Sequence, residues 1–348
     1  MSTYERVADL PLLVEGHELE QLEQSVSSEF VRTTTHVRLR GGGEEGIGED
    51  VTYDGEAHDA LQAAPPLALE GEWTLRSFSQ RLDGLELWPA PPAMAAFRDY
   101  RRWAFESAAL DLALRQAGRS LADTLGLAPR PVRFVVSLRL GEPSSAEPIQ
   151  RLLEDYPGTR FKLDPVSDWT PELVAELAGL GLVDVVDLKG QYSGTVVDNP
   201  ADPELYRRVV EAFPNAWIED PALTEETDGV LEEHRERVTW DAPIHSVADI
   251  EGLPFPPRTI NVKPSRFGSV ERLFETYDYC AANGIGMYGG GQFELGVGRH
   301  HIQHLASLFH PDSSNDVAPG GYNLTPVAPG LPISPLEPGA DTAGLPRS

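Results

Sequence analysis

The sequence is poor in cysteine, in lysine and in long apolar runs, and each shortage excludes something. A single cysteine, Cys280, in 348 residues rules out an internal disulfide and a thiolate cluster, so metal chemistry in this chain must use oxygen or imidazole ligands. Cys280 itself is expected to be a small buried apolar residue. No apolar run approaches the roughly 18 residues needed to span a bilayer. The start, MSTYERVADLPLLVEGHELE, is acidic where a signal peptide carries a basic end and an apolar stretch. A cytoplasmic location and no membrane partner are the resulting expectations. The formal charge of −27 repels phosphate backbones and anionic lipid, which argues against nucleic acid as a partner.

Lysine is the sharper shortage. Of 28 basic residues only Lys162, Lys189 and Lys263 are lysines, so arginine serves wherever a solvated positive charge suffices. An ammonium loses its proton near neutral pH when it is buried or crowded by other cations, and a guanidinium does not. Lysines thinned only by a coding bias toward arginine would be scattered at unremarkable positions.

The length suits one α/β barrel with an appended domain, or two ordinary domains. Residues 1 to about 95 read as a small α+β unit in which HVRLR and GIGEDVTY are strands. From Tyr100 the pattern is helical, with Trp103, Leu110 and Leu114 on one face and Gly118 as the stop. Short apolar strands then alternate with helical stretches: RFVVSLRL, TRFKL, VDVVD, AWIED, RVTWD, TINVK, GIGMYG and, last, NDVAP. Their spacing of about 22 to 32 residues is that of strand, helix and loop units in a parallel barrel, and eight such strands close one. The tail from Pro311 is rich in proline and glycine and lacks periodicity, as a wrapping or partly disordered extension would.

Reactive side chains of such barrels sit at the C-terminal ends of the strands, and there the unusual residues fall: Lys162 and Asp164, Asp187 and Lys189, Glu219 and Asp220, Asp241, and Lys263. Residues two apart in a strand share a face, so Lys162 with Asp164, and Asp187 with Lys189, each aim a pair inward. Asp187, Glu219 and Asp241, from three successive strands, would converge as hard oxygen ligands of the kind Mg²⁺ accepts. A single acidic residue reads equally well as a loop cap or surface ion pair; three at matching strand ends favour a metal. The GxGxxG of Gly284, Gly286 and Gly289 has the wrong context for a dinucleotide loop, since a helix precedes it and a strand follows. His300 and His304 have zinc-compatible spacing, but His301 occupies the place of the zincin glutamate, and packed helical histidines are expected instead.

The series formed by Lys162, Asp187, Glu219 in IEDP, Asp241, Lys263 in NVKPSRFGS and Glu294 in GGGQFELGVG resembles the enolase superfamily, in its muconate-lactonizing-enzyme branch, over about residues 20 to 310. The resemblance implies an α/β fold, a modified (β/α)7β TIM barrel (98–318) behind an N-terminal α+β capping domain (1–97), with a C-terminal extension (319–348). It implies a Mg²⁺-dependent lyase or isomerase that abstracts a proton α to the carboxylate of a small acid through a metal-stabilised enediolate, in the manner of a cycloisomerase, dehydratase or epimerase. Divalent charge on the developing dianion is the main lever for so weak a carbon acid. Lys263 matches the sixth-strand base, Lys162 would hold or polarise the carboxylate, and Glu294 and Asp220 would support the site. Substrate contact by Arg32 to His36 is implied by the family, an ordinary surface strand by the sequence. A homo-oligomer is compatible with the resemblance. The family's second strand carries Lys-x-Lys and its third Asp-x-Asn; here they read Lys162-Leu-Asp164 and Asp187-Leu-Lys189. Either Lys189, paired with Asp164, takes over an acid/base role opposite Lys263, or it intrudes on the metal site. The alternative function is an altered barrel that binds a small acid without turnover.

Overall fold

The computed structural model describes residues 1–26, 31–192, 199–340 and 342–348. The N-terminal part is built on an antiparallel sheet of β2 (Gly16–Ser25), β3 (Val31–Gly41) and β4 (Glu44–Asp50), following β1 (Pro11–Val14). Next come α1 (Gly55–Ala63), β5 (Gly71–Thr74), which pairs with β1, and α2 (Leu75–Asp83). Thr74 and Ser77 form a reciprocal capping box at the start of α2. The sheet lies on α3 (Phe97–Gln116). The glycines of GIGED permit this approach: a Cβ at Gly48 would lie 2.0 Å from the Ala104 carbonyl oxygen, and one at Gly46 2.2 Å from that of Ala108. Backbone therefore packs on a helix face lined with alanine.

After α4 (Leu121–Leu125), strand and helix alternate as β6 (Val136–Leu138), α5 (Glu147–Asp155), β7 (Phe161–Leu163), α6 (Pro171–Leu180), β8 (Val183–Asp187), α7 (Pro203–Ala212), β9 (Trp217–Glu219), α8 (Glu225–Leu231), β10 (Val238–Thr239), α9 (Val247–Glu251), β11 (Thr259–Val262), α10 (Pro264–Phe267), α11 (Val270–Asn283), β12 (Gly286–Gly289) and α12 (Val297–Phe309). Helix starts follow their cues, with Thr170 and Asp202 capping ahead of a first-turn proline in α6 and α7. Strands β6 to β10 form one parallel sheet in sequence order and β11 pairs with β12. The Asn261 amide, donating to the Trp240 carbonyl at 2.9 Å, links the two sheets.

The expected eighth strand at NDVAP is reduced to isolated parallel bridges, Asn315 with Phe134 and Asp316 with Gly290. The Val135 amide donates to Asn315 at 2.8 Å and the Asp316 amide to Gly289 at 2.7 Å. The Asn315 side chain takes over what a longer strand would do, accepting from the Gly289 amide and donating to the Arg133 carbonyl. The architecture is thus an α/β barrel of the modified (β/α)7β type with an N-terminal α+β unit. The C-terminal tail packs back: Leu336 pairs with Val132, and Leu345 donates to buried Asp111 of α3 at 2.7 Å. Among the described residues no helix is long and apolar enough to cross a membrane.

Candidate active site

The strand ends of the barrel deliver charged groups into one buried cluster. Asp187 and Glu219 are the last residues of β8 and β9, Asp241 follows β10, and Lys263 directly follows β11. Asp187, Glu219, Asp220 and Asp241 are each fully buried, Lys162 is 1% exposed and Lys263 6%. Lys162 Nζ lies 2.5 Å from Glu219 Oε1 and 3.0 Å from Asp187 Oδ2, with Asp316 at 3.7 Å. Lys263 Nζ is 2.8 Å from Asp241 Oδ2. Lys189 pairs with Asp187 Oδ2, and its ammonium is 3.8 Å from Asp164 Oδ1. All three lysines of the chain therefore meet the carboxylates of this one cluster.

Burial alone would raise every acid here, and the neighbours decide the outcome. Burial works against Asp187, but the Lys162 and Lys189 ammoniums hold it below the usual carboxylate range. Asp241 is likewise held low, against burial, by Arg266 and Lys263. Glu219 is pushed up to about 8, by burial first and then by Asp187 and Asp241, which outweigh Lys162. Asp220 rises to about 7 through burial and the charges of Asp241 and Asp187. Four carboxylates this close are short of positive charge even with three lysines beside them.

One carboxylate oxygen from each of Asp187, Glu219 and Asp220 lies within 4.8 Å of the others, so the tightest acidic group has Asp220 where the sequence suggested Asp241. The Asp220 oxygens, however, accept the backbone N–H groups of Asp241 at 2.8 Å and Ala242 at 2.9 Å. Asp220 thus holds the start of the loop that carries Asp241. One oxygen of Asp241 accepts from Lys263, from Arg266 at 3.3 Å and from the Tyr192 hydroxyl at 2.9 Å, while its buried Oδ1 has no hydrogen-bond donor. A buried carboxylate oxygen without a donor, in a cluster rich in oxygen and free of sulfur, is what a hard divalent cation satisfies. The residues present fit Mg²⁺.

Several site residues escape a reading of the sequence. Tyr288 donates to Glu219 Oε2 at 2.5 Å and Asn261 to Oε1 at 3.4 Å. Asn261 stands two residues before Lys263 and shares its face, which two-residue periodicity signals. Tyr288, its register partner on β12, carries no such sign. Arg266 bridges Tyr192 and Asp241 from the short helix after Lys263. The glycines after β12 make room: a Cβ at Gly290 would come within 2.8 Å of Lys263 Cε, and one at Gly291 within 2.3 Å of Glu294 Oε2. Glu294 accepts from the Gln292 amide at 2.6 Å and pairs with Arg299 at 2.9 Å.

Arg32 to His36 are buried, not a surface strand, and Arg32 and His36 contact the loop after β12 and the start of α12. Arg32 donates to the carbonyls of Gln292 at 2.8 Å and Phe293 at 3.1 Å as well as to Val51 and Thr52. Neighbouring Glu49 accepts from the amides of Leu295, Gly296 and Gly298 ahead of and within the first turn of α12. Lys189, Asp220 and Phe293 are the non-glycine residues with positive φ among those described, at 54°, 47° and 56°. All three follow barrel strands at the mouth, where backbone strain of about 1 kcal/mol or more is tolerated for function. The remaining motifs are structural. Gly284 ends α11 in the left-handed conformation and Gly289 passes against His310, and His304 is buried within α12.

A family profile described as the domain of unknown function DUF8230, C-terminal domain, matches residues 128–324, and its N-terminal counterpart matches residues 5–124. An N-succinylamino acid racemase from an Amycolatopsis species is 30% identical over 70% of this chain and 72% of its own length. An o-succinylbenzoate synthase from Enterococcus faecalis is 28% identical over 56% of this chain, which spans about half (54%) of that protein. The solved structure of muconate cycloisomerase from Pseudomonas fluorescens superposes with a TM-score of 0.68 at 19% identity, covering 97% of this chain and 96% of the other. An enolase from Gibberella zeae, complexed with magnesium, formate and sulfate, gives 0.64 at 18% identity over 90% and 82%. With the acidic and lysine constellation in the same barrel, these findings converge: the chain belongs to the DUF8230 family and, with it, to the enolase superfamily of lyases and isomerases.

Proposed function

We propose that this protein is a Mg²⁺-dependent isomerase that moves the proton α to the carboxylate of a small organic acid, with an N-acylated amino acid as the leading substrate class. The observation that carries the reading is the distribution of the lysines: Lys263 on Asp241, Lys189 on Asp187, and Lys162 between Asp187 and Glu219. Lys189 and Lys263 follow strands three apart in the barrel and meet different carboxylates, Asp187 and Asp241. Racemisation needs such a pair, one group to take the proton and another to return it. Burial would lower Lys189, but Asp164 and Asp187 hold it above the ordinary range, so it starts protonated. For one enantiomer Lys263 takes the proton and Lys189 returns one, and for the other the two exchange roles, as reversibility requires. Lys162 offers an ammonium to a substrate carboxylate.

Asp187, Glu219 and Asp241 would hold the ion, with Asp220 fixing the backbone at Asp241 and Tyr288 orienting Glu219. When bound, the ion supplies positive charge to the substrate carboxylate as negative charge develops on it. The name of the Amycolatopsis relative supports the substrate class.

The test is NMR in D₂O with Mg²⁺ and each enantiomer of a series of N-succinyl amino acids. Deuterium at Cα with inversion is the expected result. Loss of the α-proton without inversion would point to elimination or a one-base reaction. No exchange from a broad panel of carboxylates would favour an altered barrel that binds a small acid without turnover, a reading supported by the contact of Lys189 with a ligand carboxylate.

A further inference from the structure

Lys189 stands between two carboxylates that differ in how well they are served. Asp187 Oδ2 receives both Lys189 and Lys162, and the Lys189 backbone amide donates to Asp187 Oδ1 at 3.2 Å. Asp164 Oδ1, 3.8 Å from the Lys189 ammonium, is buried and has no hydrogen-bond donor. The other oxygen of Asp164 has only a 3.4 Å contact from Arg139, whose side chain is 64% exposed. An overcommitted oxygen and an undersupplied one therefore lie within one side-chain rotation of the same ammonium. The backbone of Lys189 is fixed in the left-handed region, so any rearrangement falls on its four flexible side-chain torsions.

We infer that Lys189 is a two-seat lysine: it neutralises Asp187 while the carboxylate cluster lacks a divalent ion, and moves onto Asp164 Oδ1 when Asp187 becomes a ligand. Asp164 is a positioning residue in this scheme, present to receive a cation that has to leave Asp187. The inference rests on the Mg²⁺ reading above and explains why the lysine on the third strand comes together with an aspartate on the second. Lys162 retains Asp316, at 3.7 Å, as a carboxylate outside the proposed ligand set.

The test is a double-mutant cycle on metal affinity, read by titration calorimetry with Mg²⁺ on the full chain without substrate. Lys189→Met removes the competitor, and Mg²⁺ is expected to bind about tenfold tighter, the scale on which outer partners of a ligating carboxylate act. Asp164→Asn removes the second seat, and binding is expected to weaken about tenfold. In the double variant Asp164→Asn should have lost most of its effect, because no lysine remains to be reseated. Equal weakening in both backgrounds would mean that Asp164 acts by charge alone and would overturn the inference, as would unchanged or weaker binding by Lys189→Met. Lys189→Gln repeats the cycle if the methionine variant fails to fold. If neither the natural protein nor Lys189→Met binds Mg²⁺, the Mg²⁺ reading itself fails and this one falls with it.

Discussion

Lysine in this chain is confined to the site. All but four of the 25 arginines reach solvent, Arg32, Arg101, Arg266 and Arg299 being buried, while all three lysines, in β7 and after β8 and β11, are paired to the carboxylates of one buried cluster. A compositional oddity was therefore a legible sign of the site, because arginine supplies the positive charge everywhere else in the chain. Lys263→Arg keeps the charge beside Asp241 but removes a group able to give up its proton. Its thermal unfolding should match that of the natural protein, while deuterium exchange at the substrate Cα falls by about 10²–10⁴, the range for a lost general base. Exchange within tenfold of the natural rate would show that another group takes the proton. Arg266, Tyr192 and Tyr288 were not legible in this way, since arginine and tyrosine occur throughout the chain and only the fold brings these three to Asp241 and Glu219.

Individual elements show where local signals end. The strands announced themselves through apolar runs bounded by charge, and seven lie at or within a residue or two of the segments that suggested them. The eighth is cut to two bridged residues, Asn315 and Asp316, and the Asn315 side chain adds the rest, donating to the Arg133 carbonyl of the neighbouring segment and to His310 and Ser313 of its own turn. No periodicity encodes a strand of two residues completed by one side-chain amide. The hold of the N-terminal unit on the barrel was equally hidden, since Arg32 on β3 reads as an ordinary strand residue. Its guanidinium is 1% exposed and donates to five backbone carbonyls, two of them in the loop after β12. Arg32→Met should cost about 3 kcal/mol or more, because buried carbonyls lose their donors. It should also raise KM more than it lowers kcat, since the loop it holds borders the site while the lysines are untouched. Urea unfolding and steady-state kinetics check both, and an unchanged midpoint would mean that the loop does not depend on this contact.

For the whole molecule, a charge of −27 makes the compact state work against its own repulsion, and the tail adds positive and polar contacts where acids are buried. Fully buried Asp111 accepts from the Ile47 and Leu345 amides and pairs with Arg115 and Arg347. Deleting residues 344–348 removes two of those four partners and should lower stability by about 2 kcal/mol or more, visible as a lower melting temperature. Acid acts at the barrel closure as well. The three carbonyls around Asn315 Nδ2 fix its amide so that Oδ1 accepts from Gly289 at 2.6 Å and faces His310 Nδ1 at 2.7 Å. The imidazole must therefore carry its proton on Nδ1, and its buried Nε2 has no partner. A second proton would sit on Nε2 with nothing to accept it, and burial brings His310 down to about 4 from 6.5. The folded state thus refuses a proton that the unfolded chain takes up, so stability is intact above pH 6.5 and is lost as pH falls toward 4. At about 1.4 kcal/mol per pH unit the loss approaches 3 kcal/mol across that window. His310→Gln, which has nothing to protonate there, should lose that much less between pH 7 and pH 4 in urea unfolding. Parallel decline of the two proteins would place the acid sensitivity elsewhere than in the closing turn of the barrel.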